Sequence, residues 1–151
     1  MSRQVLSDQV LAQPPVRAWL GLLRGYRTLT RELGARLLAD HGLTQNDYEV
    51  LAQLSRAPEG RMRRVDLAER LLLSPSGITR LLDGLERAGL VEKATCDTDA
   101  RVTYAVLTEA GFEKLREASR THIADIEAAL GCLEHHELET LGSLPARLAS
   151  D

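Results

Sequence analysis

The sequence predicts a mainly α-helical fold with one small β-hairpin. Most of its apolar residues recur every three or four positions, a spacing that gathers side chains on one face of a helix. Residues 90–94 and 102–107 instead have the composition of strands. These strands follow a pair of short helices in the middle of the chain. That order of elements predicts a winged helix-turn-helix with further helices at both ends.

The first part of the chain predicts an arm followed by two helices. Residues 1–15 show little periodicity and contain adjacent prolines, so we expect a mobile or partner-packed arm. Residues 16–41 predict a long helix that ends at Gly42. Thr44 and Asp47 resemble a capping box for the next helix, although aspartate is a shorter acid than usual there. Residues 57–60 form a turn that ends this helix.

The centre of the chain predicts a helix-turn-helix. Residues 65–72 form its first helix, and the second begins with Ser74 as the cap and Pro75 in the first helical position. Gly89 ends that second helix. Its apolar stripe lies opposite a polar face made of Ser76, Thr79, Arg80, Asp83 and Arg87. A short helix of this kind suits the major groove of DNA, although most amphipathic helices have a polar face only because it is solvated.

The predicted hairpin carries a polar loop, residues 95–101, with Arg101 at its far end. Such a wing tip can place an arginine at the minor groove or at a phosphate. We expect Asp99 to hold Arg101 in place, because phosphate repels a carboxylate. Arg63 and Arg64, ahead of the helix-turn-helix, are candidates for phosphate contacts, but they are equally consistent with plain surface arginines.

The last part of the chain predicts two more helices. Thr108 caps the first, which runs to Gly131, and the second begins near residues 133–134. Helices on both sides of a DNA-binding module usually pair two subunits, so residues 16–41 and 109–149 are the predicted dimerisation helices and residues 44–108 the module. Pro145 lies within the last helix and should kink or end it.

Composition indicates one domain over residues 1–151. The chain is 44% hydrophobic, which is enough for one core. It has no apolar run that spans a bilayer and no signal-peptide pattern, so we expect no membrane association. Two cysteines far apart in sequence fit a reducing cytoplasm, the predicted location.

The charge is unevenly distributed along a chain of net charge −3. Residues 61–101 contain eight basic and seven acidic residues, whereas residues 109–151 contain four basic and nine acidic ones. The module is therefore only mildly basic, and we expect each subunit to neutralise few phosphates.

Several short segments resemble the MarR (multiple antibiotic resistance regulator) family of bacterial transcription regulators over nearly the whole chain. The segments are Gly-Leu-Thr at 42–44, Asp-Leu-Ala at 66–68, Leu-Ser-Pro-Ser at 73–76, Leu-Glu-Arg-Ala-Gly-Leu-Val at 85–91, Asp-Ala-Arg at 99–101 and Leu-Thr-Glu-Ala-Gly at 107–111. The resemblance implies a homodimeric repressor that binds a double-stranded DNA operator and often releases it on binding a small ligand. Two recognition helices would meet half-sites of a pseudo-palindrome. The DNA-binding candidates are Arg63, Arg64, Ser74, Pro75, Ser76, Thr79, Arg80, Arg87, Asp99 and Arg101.

In this family, ligands lie between the dimerisation helices and the module. Candidates for binding a small aromatic or anionic effector are Trp19, Tyr26, His41, Tyr48 and Asp66. For Trp19, packing in the core is the commoner role.

Two alternatives stay open: a winged-helix module that binds proteins instead of DNA, and a redox-sensing regulator acting through Cys96. We expect no cofactor, because His135 and His136 point to different faces of a helix and no metal site is complete. No catalytic motif is present, so an enzyme is not indicated.

Overall fold

The computed structural model describes residues 7–148. This part of the chain forms the following elements in order: α1 (Asp8–Leu11), α2 (Pro14–His41), α3 (Gln45–Arg56), a 3₁₀ turn (Pro58–Gly60), β1 (Arg61–Arg63), α4 (Arg64–Arg70), α5 (Pro75–Arg87), β2 (Val91–Thr95), β3 (Thr103–Leu107), α6 (Glu109–Leu130) and α7 (His135–Leu148). The mainly helical fold class with a small β-hairpin is confirmed. None of the helices within residues 7–148 is both long and apolar enough to cross a bilayer.

The arm predicted for residues 1–15 is partly helical where the structure describes it, and its packing against a partner stays a prediction. Ser7 caps the short helix α1, and Pro14 and Pro15 begin α2 instead of breaking it. The first N–H groups of a helix have no partner within the helix, so proline loses nothing there. Residues 1–6 lie outside the described residues.

The core lies in the middle of the chain, where α3, α4 and α5 pack against the sheet and the first half of α6. The buried apolar residues are Leu37, Leu43, Val50, Leu51, Leu54, Met62, Leu67, Ala68, Ile78, Leu82, Leu85, Val91, Ala105, Leu115 and Ala118. The long helix α2 buries only Leu37, and α7 buries no residue. One chain therefore builds a packed module and leaves most of its terminal helices uncovered.

The sheet has three antiparallel strands in the order β1-β3-β2, one more than the hairpin predicted from the sequence. Met62 of β1 pairs with Ala105 of β3, and Val91 of β2 pairs with Leu107. β1 has three residues, of which only Met62 is buried, so its alternation is too short to be recognised. Arg61 of β1 stacks over the ring of Tyr104, with Cζ 4.2 Å from the ring centroid.

The predicted caps of the central helices are present. The Ser74 hydroxyl accepts a hydrogen bond from the N–H of Gly77 at 3.1 Å. After α5, Gly89 adopts a left-handed φ of 72°, and the N–H of Leu90 donates to the carbonyl of Leu85 at 2.9 Å. This is the glycine-capped helix end that the sequence predicts. The capping box of Thr44 at the start of α3 is also present.

Two helix ends differ from the predictions. The helix predicted for residues 65–72 ends at Arg70, because Leu72 adopts a left-handed φ of 52° in the turn before α5. Pro145 does not end α7, which continues to Leu148. The proline lies in the exposed last turn, where water reaches the backbone and one missing hydrogen bond costs little. Residue 149, the predicted boundary, lies outside the described residues.

The start of α6 is fastened to the base of the hairpin. The Thr108 hydroxyl donates to the carbonyl of Gly89 at 2.7 Å and accepts from the N–H of Gly111 at 3.0 Å. The backbone N–H of Thr108 donates to the carbonyl of Leu90 at 3.2 Å. The end of α5 and the beginning of α6 are therefore held in one fixed arrangement.

Candidate nucleic-acid interface

The polar face of α5 is open to solvent at Ser76, Arg80 and Arg87. Arg64 contacts Thr79 and Lys93 pairs with Asp83 on the same face. Ile78, Leu82 and Leu85 on its other face are only 1–3% exposed. Ser76 and Arg80 are exposed on the polar face. This is the arrangement that a recognition helix needs: one side is anchored in the core and the other is open to a DNA groove.

The three residues at the start of α5 have different tasks. Ser74 caps the helix through its hydroxyl, which also lies 3.2 Å from the hydroxyl of Ser76. Pro75 occupies the first turn, where it has no N–H to offer. Ser76 is therefore the residue of this group whose side chain can face a base or a phosphate.

Arg63 and Arg64 are adjacent in sequence but have different partners. Arg63 forms two hydrogen bonds with the carboxylate of Asp66, at 2.8 and 2.7 Å. This bond lowers the pKa of the Asp66 carboxyl and raises that of the Arg63 guanidinium. Arg64 instead reaches α5, where its Nη1 donates to the hydroxyl of Thr79 at 3.5 Å.

The wing projects beyond the sheet and carries Arg101 on its exposed loop. A carboxylate oxygen of Asp99 accepts from the backbone N–H of Arg101 at 3.0 Å. Asp99 thus orders the loop backbone and leaves the guanidinium available. The side chains of Arg80, Arg87 and Arg101 form no hydrogen bond or ion pair with any residue from 7 to 148.

Lys93 of β2 is a site residue that sequence reasoning missed. Its ammonium group pairs with the carboxylates of Asp83 and, at 3.0 Å, Glu86, both on α5. The hydrogen bond from Lys93 lowers the pKa of Asp83, and the charges of Arg87 and Arg64 add to that effect. Asp83 and Glu86 are three residues apart on one helix face, next to the strand that follows, and this spacing could have indicated a cation opposite them.

Comparison with known proteins identifies the family. A sequence model of the MarR family matches residues 41–102. The transcriptional repressor YetL of Bacillus subtilis is 30% identical over 115 residues, covering 74% of this chain and 69% of YetL. AbsC, a MarR family transcriptional regulator from Streptomyces coelicolor, is 34% identical with a TM-score of 0.82, covering 95% of this chain and 94% of its own.

This chain belongs to the MarR family. It is accordingly a transcription regulator with the winged-helix fold. Another MarR family regulator from Streptomyces coelicolor, whose crystal structure is a complex with DNA, shares this fold at 24% identity. Its TM-score is 0.84, and the match covers 98% of this chain and 90% of that one.

The effector candidates of this MarR family member do not meet within one chain. Trp19 and Tyr26 lie on the first half of α2 and are 60% and 66% exposed, so Trp19 does not pack in the core of its own chain. His41 is at the far end of the same helix, roughly 33 Å from Trp19 at 1.5 Å per residue. Asp66, on α4, bonds to Arg63 of β1.

His41 and Tyr48 instead join a polar cluster with α6. His41 Nε2 lies 2.6 Å from the hydroxyl of Thr121, and the Tyr48 hydroxyl lies 3.0 Å from that of Ser119. Beside them, His122 is 2% exposed and meets the Tyr48 ring edge-on, with the centroids 4.7 Å apart. Its Nδ1, like that of His41, has no hydrogen-bond partner within residues 7–148.

Burial lowers the pKa of His122, nearby Asp125 opposes this, and His41 adds to it. In the sequence His122 occupies a position of the apolar stripe of α6, which gives no sign of this cluster. The cluster joins the end of α2, the start of α3 and the middle of α6.

The redox alternative has limited structural support. Cys96 lies where β2 ends, and its Sγ is 3.1 Å from the hydroxyl of Thr98. Hydrogen bonds from Thr98 lower the pKa of this thiol. Cys132 is exposed in the turn between α6 and α7, so the whole of α6 separates it in the chain from the wing that carries Cys96. Neither cysteine forms a disulfide.

Proposed function

We propose that this regulator is a repressor that binds a pseudo-palindromic operator as a homodimer and responds to a small ligand. The observation that carries the proposal is the open polar face of α5 beside a wing whose Arg101 guanidinium has no partner within residues 7–148. The function requires no catalytic step and no cofactor. We infer a cytoplasmic location, because a transcription regulator acts where the chromosome is.

The homodimer is supported by the apolar side chains that one chain leaves exposed on its terminal helices. These residues are Trp19, Leu20, Leu22, Tyr26, Leu38, Phe112, Ile123, Leu138, Leu141, Leu144 and Leu148. Monomeric proteins rarely expose so many large apolar groups together. A second copy of α2, α6 and α7 would cover them. We therefore assign residues 16–41 and 109–149 to dimerisation and residues 44–108 to DNA binding.

Contacts with DNA divide into those that read bases and those that position the protein. We assign Ser76, Thr79 and Arg80 to base edges, because they lie on the first half of the open helix face. Arg87 and Arg101 are assigned to the sugar–phosphate backbone or the minor groove. In a dimer, Arg87 and Arg101 of both subunits would together neutralise about four phosphates. The affinity should then fall as the salt concentration rises, with a log–log slope of about −4.

A small aromatic or anionic effector remains part of the proposal. Because Trp19 and Tyr26 lie far from His41 and Tyr48 in one chain, a pocket that contains all four needs the partner subunit. Trp19 is the sole tryptophan, so its fluorescence reports on its surroundings without interference. Titration with benzoate should quench this fluorescence in the dimer, and an unchanged spectrum up to millimolar concentrations would argue against an aromatic anion at Trp19.

The proposed function is tested on the DNA upstream of the gene for this chain. Footprinting should show a protected pseudo-palindrome, and Arg101→Ala should weaken binding to it by roughly ten-fold, with melting unchanged. Arg56→Ala is the matched control, because Arg56 is an exposed arginine at the end of α3 that bonds to the carbonyl of Ala52 at 3.0 Å and is assigned no DNA contact. Equal affinity of Arg101→Ala and the intact protein would contradict the assignment of the wing to DNA.

A further inference from the structure

The Thr79 hydroxyl on the open face of α5 has two hydrogen bonds whose direction is fixed by chemistry. Its Oγ1 lies 2.8 Å from the carbonyl oxygen of Pro75, and a carbonyl can only accept. Nη1 of Arg64 lies 3.5 Å from the same Oγ1, and a guanidinium can only donate. Thr79 therefore gives its proton to Pro75 and accepts one from Arg64.

These two bonds determine what the hydroxyl can still offer to DNA. A hydroxyl has one proton and two acceptor lone pairs. The proton is directed at Pro75 and one lone pair at Arg64, so one lone pair remains. The bond from Arg64 also polarises the hydroxyl and strengthens its bond to Pro75, because adjoining hydrogen bonds reinforce each other.

We propose that Thr79 reads its base as an acceptor only and selects an amino base, adenine or cytosine, over a keto base, guanine or thymine. In the major groove, adenine N6 and cytosine N4 are donors, whereas guanine O6 and N7 and thymine O4 are acceptors. A keto base would place an acceptor against the remaining lone pair of Thr79. This inference rests on the proposed function, because it needs α5 in the major groove.

Arg64 is the positioning residue in this arrangement. The sequence alone makes it a candidate for a phosphate contact, but its guanidinium is half-buried against α5. Its charge also reaches Asp83, one helical turn beyond Thr79. Arg64 therefore lies along the middle of the recognition helix, where it acts on base choice through Thr79.

The experiment is selection of preferred sites from a duplex library with a randomised central region, using the full-length dimer. Thr79→Val removes the hydroxyl but keeps the β-branched shape, and Arg64→Met removes the donor. The double variant shows whether Arg64 acts through Thr79. Arg70→Met is the control, because Arg70 lies at the other end of α4 and bonds to Gln53 at 2.9 Å. Thermal melting establishes that each variant is folded.

In each half-site, we expect the base that faces Thr79 to be adenine or cytosine in preference to guanine or thymine by about 3- to 10-fold. This is the effect of a single hydrogen bond. Thr79→Val should remove this preference and leave the others, Arg64→Met should weaken it, and the double variant should match Thr79→Val. Arg70→Met should select the unchanged motif. If Arg64→Met does not fold, Thr79→Val alone tests whether Thr79 contacts its base as an acceptor.

Two results would overturn the inference. One is a Thr79→Val protein that keeps the full amino-base preference. The other is an Arg64→Met protein whose affinity falls evenly over all sequences with the preference intact, as for a phosphate contact. An unmodified chain that selects no sequence at all would instead refute the proposed function, so the two failures are distinguishable.

Discussion

Gly111 closes the joint at which α6 leaves the wing, and replacing it by alanine tests how tightly that joint is packed. A Cβ atom at this position would collide with the carbonyl oxygen of Leu90. It would also lie 2.8 Å from Cδ1 of Leu107 and 3.0 Å from the carbonyl carbon of Leu90. Backbone cannot rotate away as a side chain can, so α6 must shift.

The cost follows from what such a shift disturbs. The bonds of Thr108 to Gly89 and Leu90, at 2.7 and 3.2 Å, both cross this joint. Overpacking costs about 1–3 kcal/mol, and each weakened hydrogen bond about 1 kcal/mol. Alanine in place of glycine in a helix returns up to about 1 kcal/mol. We expect Gly111→Ala to lower the free energy of unfolding by about 2–4 kcal/mol.

The matched control is Gly84→Ala in α5, where a Cβ atom would meet no other atom within 4 Å. The same substitution should there stabilise the protein by about 0.5–1 kcal/mol. Urea unfolding at one fixed protein concentration measures both changes. The reasoning is refuted if Gly111→Ala unfolds within about 0.5 kcal/mol of the unaltered protein, or if the two variants shift in the same direction by similar amounts.

Three other predictions follow from the ion pair, the buried histidine and the helix cap. In mobility-shift titrations, Lys93→Met should weaken operator binding several-fold, because it leaves the charges of Asp83 and Glu86 without their cation. Adding Asp83→Asn should restore part of the affinity. Unchanged affinity of Lys93→Met would contradict a role of Lys93 in neutralising these acids. Because the pKa of His122 is lowered, the unfolded chain takes up a proton first as the pH falls below about 6.5. The free energy of unfolding should then fall by at most about 1.4 kcal/mol per pH unit. Urea unfolding at pH 7.5 and 5.5 should show a smaller fall for His122→Phe than for the unaltered protein, and equal falls would contradict the lowered pKa of His122. Ser74→Ala should cost about 1 kcal/mol in thermal melting and Ser74→Asp little, whereas equal losses would exclude the cap.

The features that the sequence predicts well are those determined by neighbouring residues. Ser74 and Pro75 start α5, and Gly89 ends it, because a cap needs only side chains and φ angles within one turn. Thr44 with Asp47 is the same kind of signal. The winged module could therefore be drawn from local patterns, together with its order of elements.

The features that the sequence does not reveal depend on contacts between distant parts of the chain. β1 exists because Met62 pairs with Ala105 far along the chain. The ion pairs of Lys93 exist because β2 lies beside the acids of α5, so they join two separate elements. His122 is buried on α6 against the ring of Tyr48, which comes from α3, so its surroundings depend on another helix.

The dimerisation helices meet the DNA-binding module at two joints of different character. At the wing base, Gly111 leaves no space for even a Cβ atom. At the other joint, the Tyr48 hydroxyl of α3 lies 3.0 Å from that of Ser119 on α6, beside the imidazole of His122. Close-packed backbone has no second arrangement of similar energy, whereas hydroxyl and imidazole groups can exchange partners. We therefore expect the joint at Gly111 to resist a change of angle between the module and the long helices more than the joint at Tyr48 and Ser119 does.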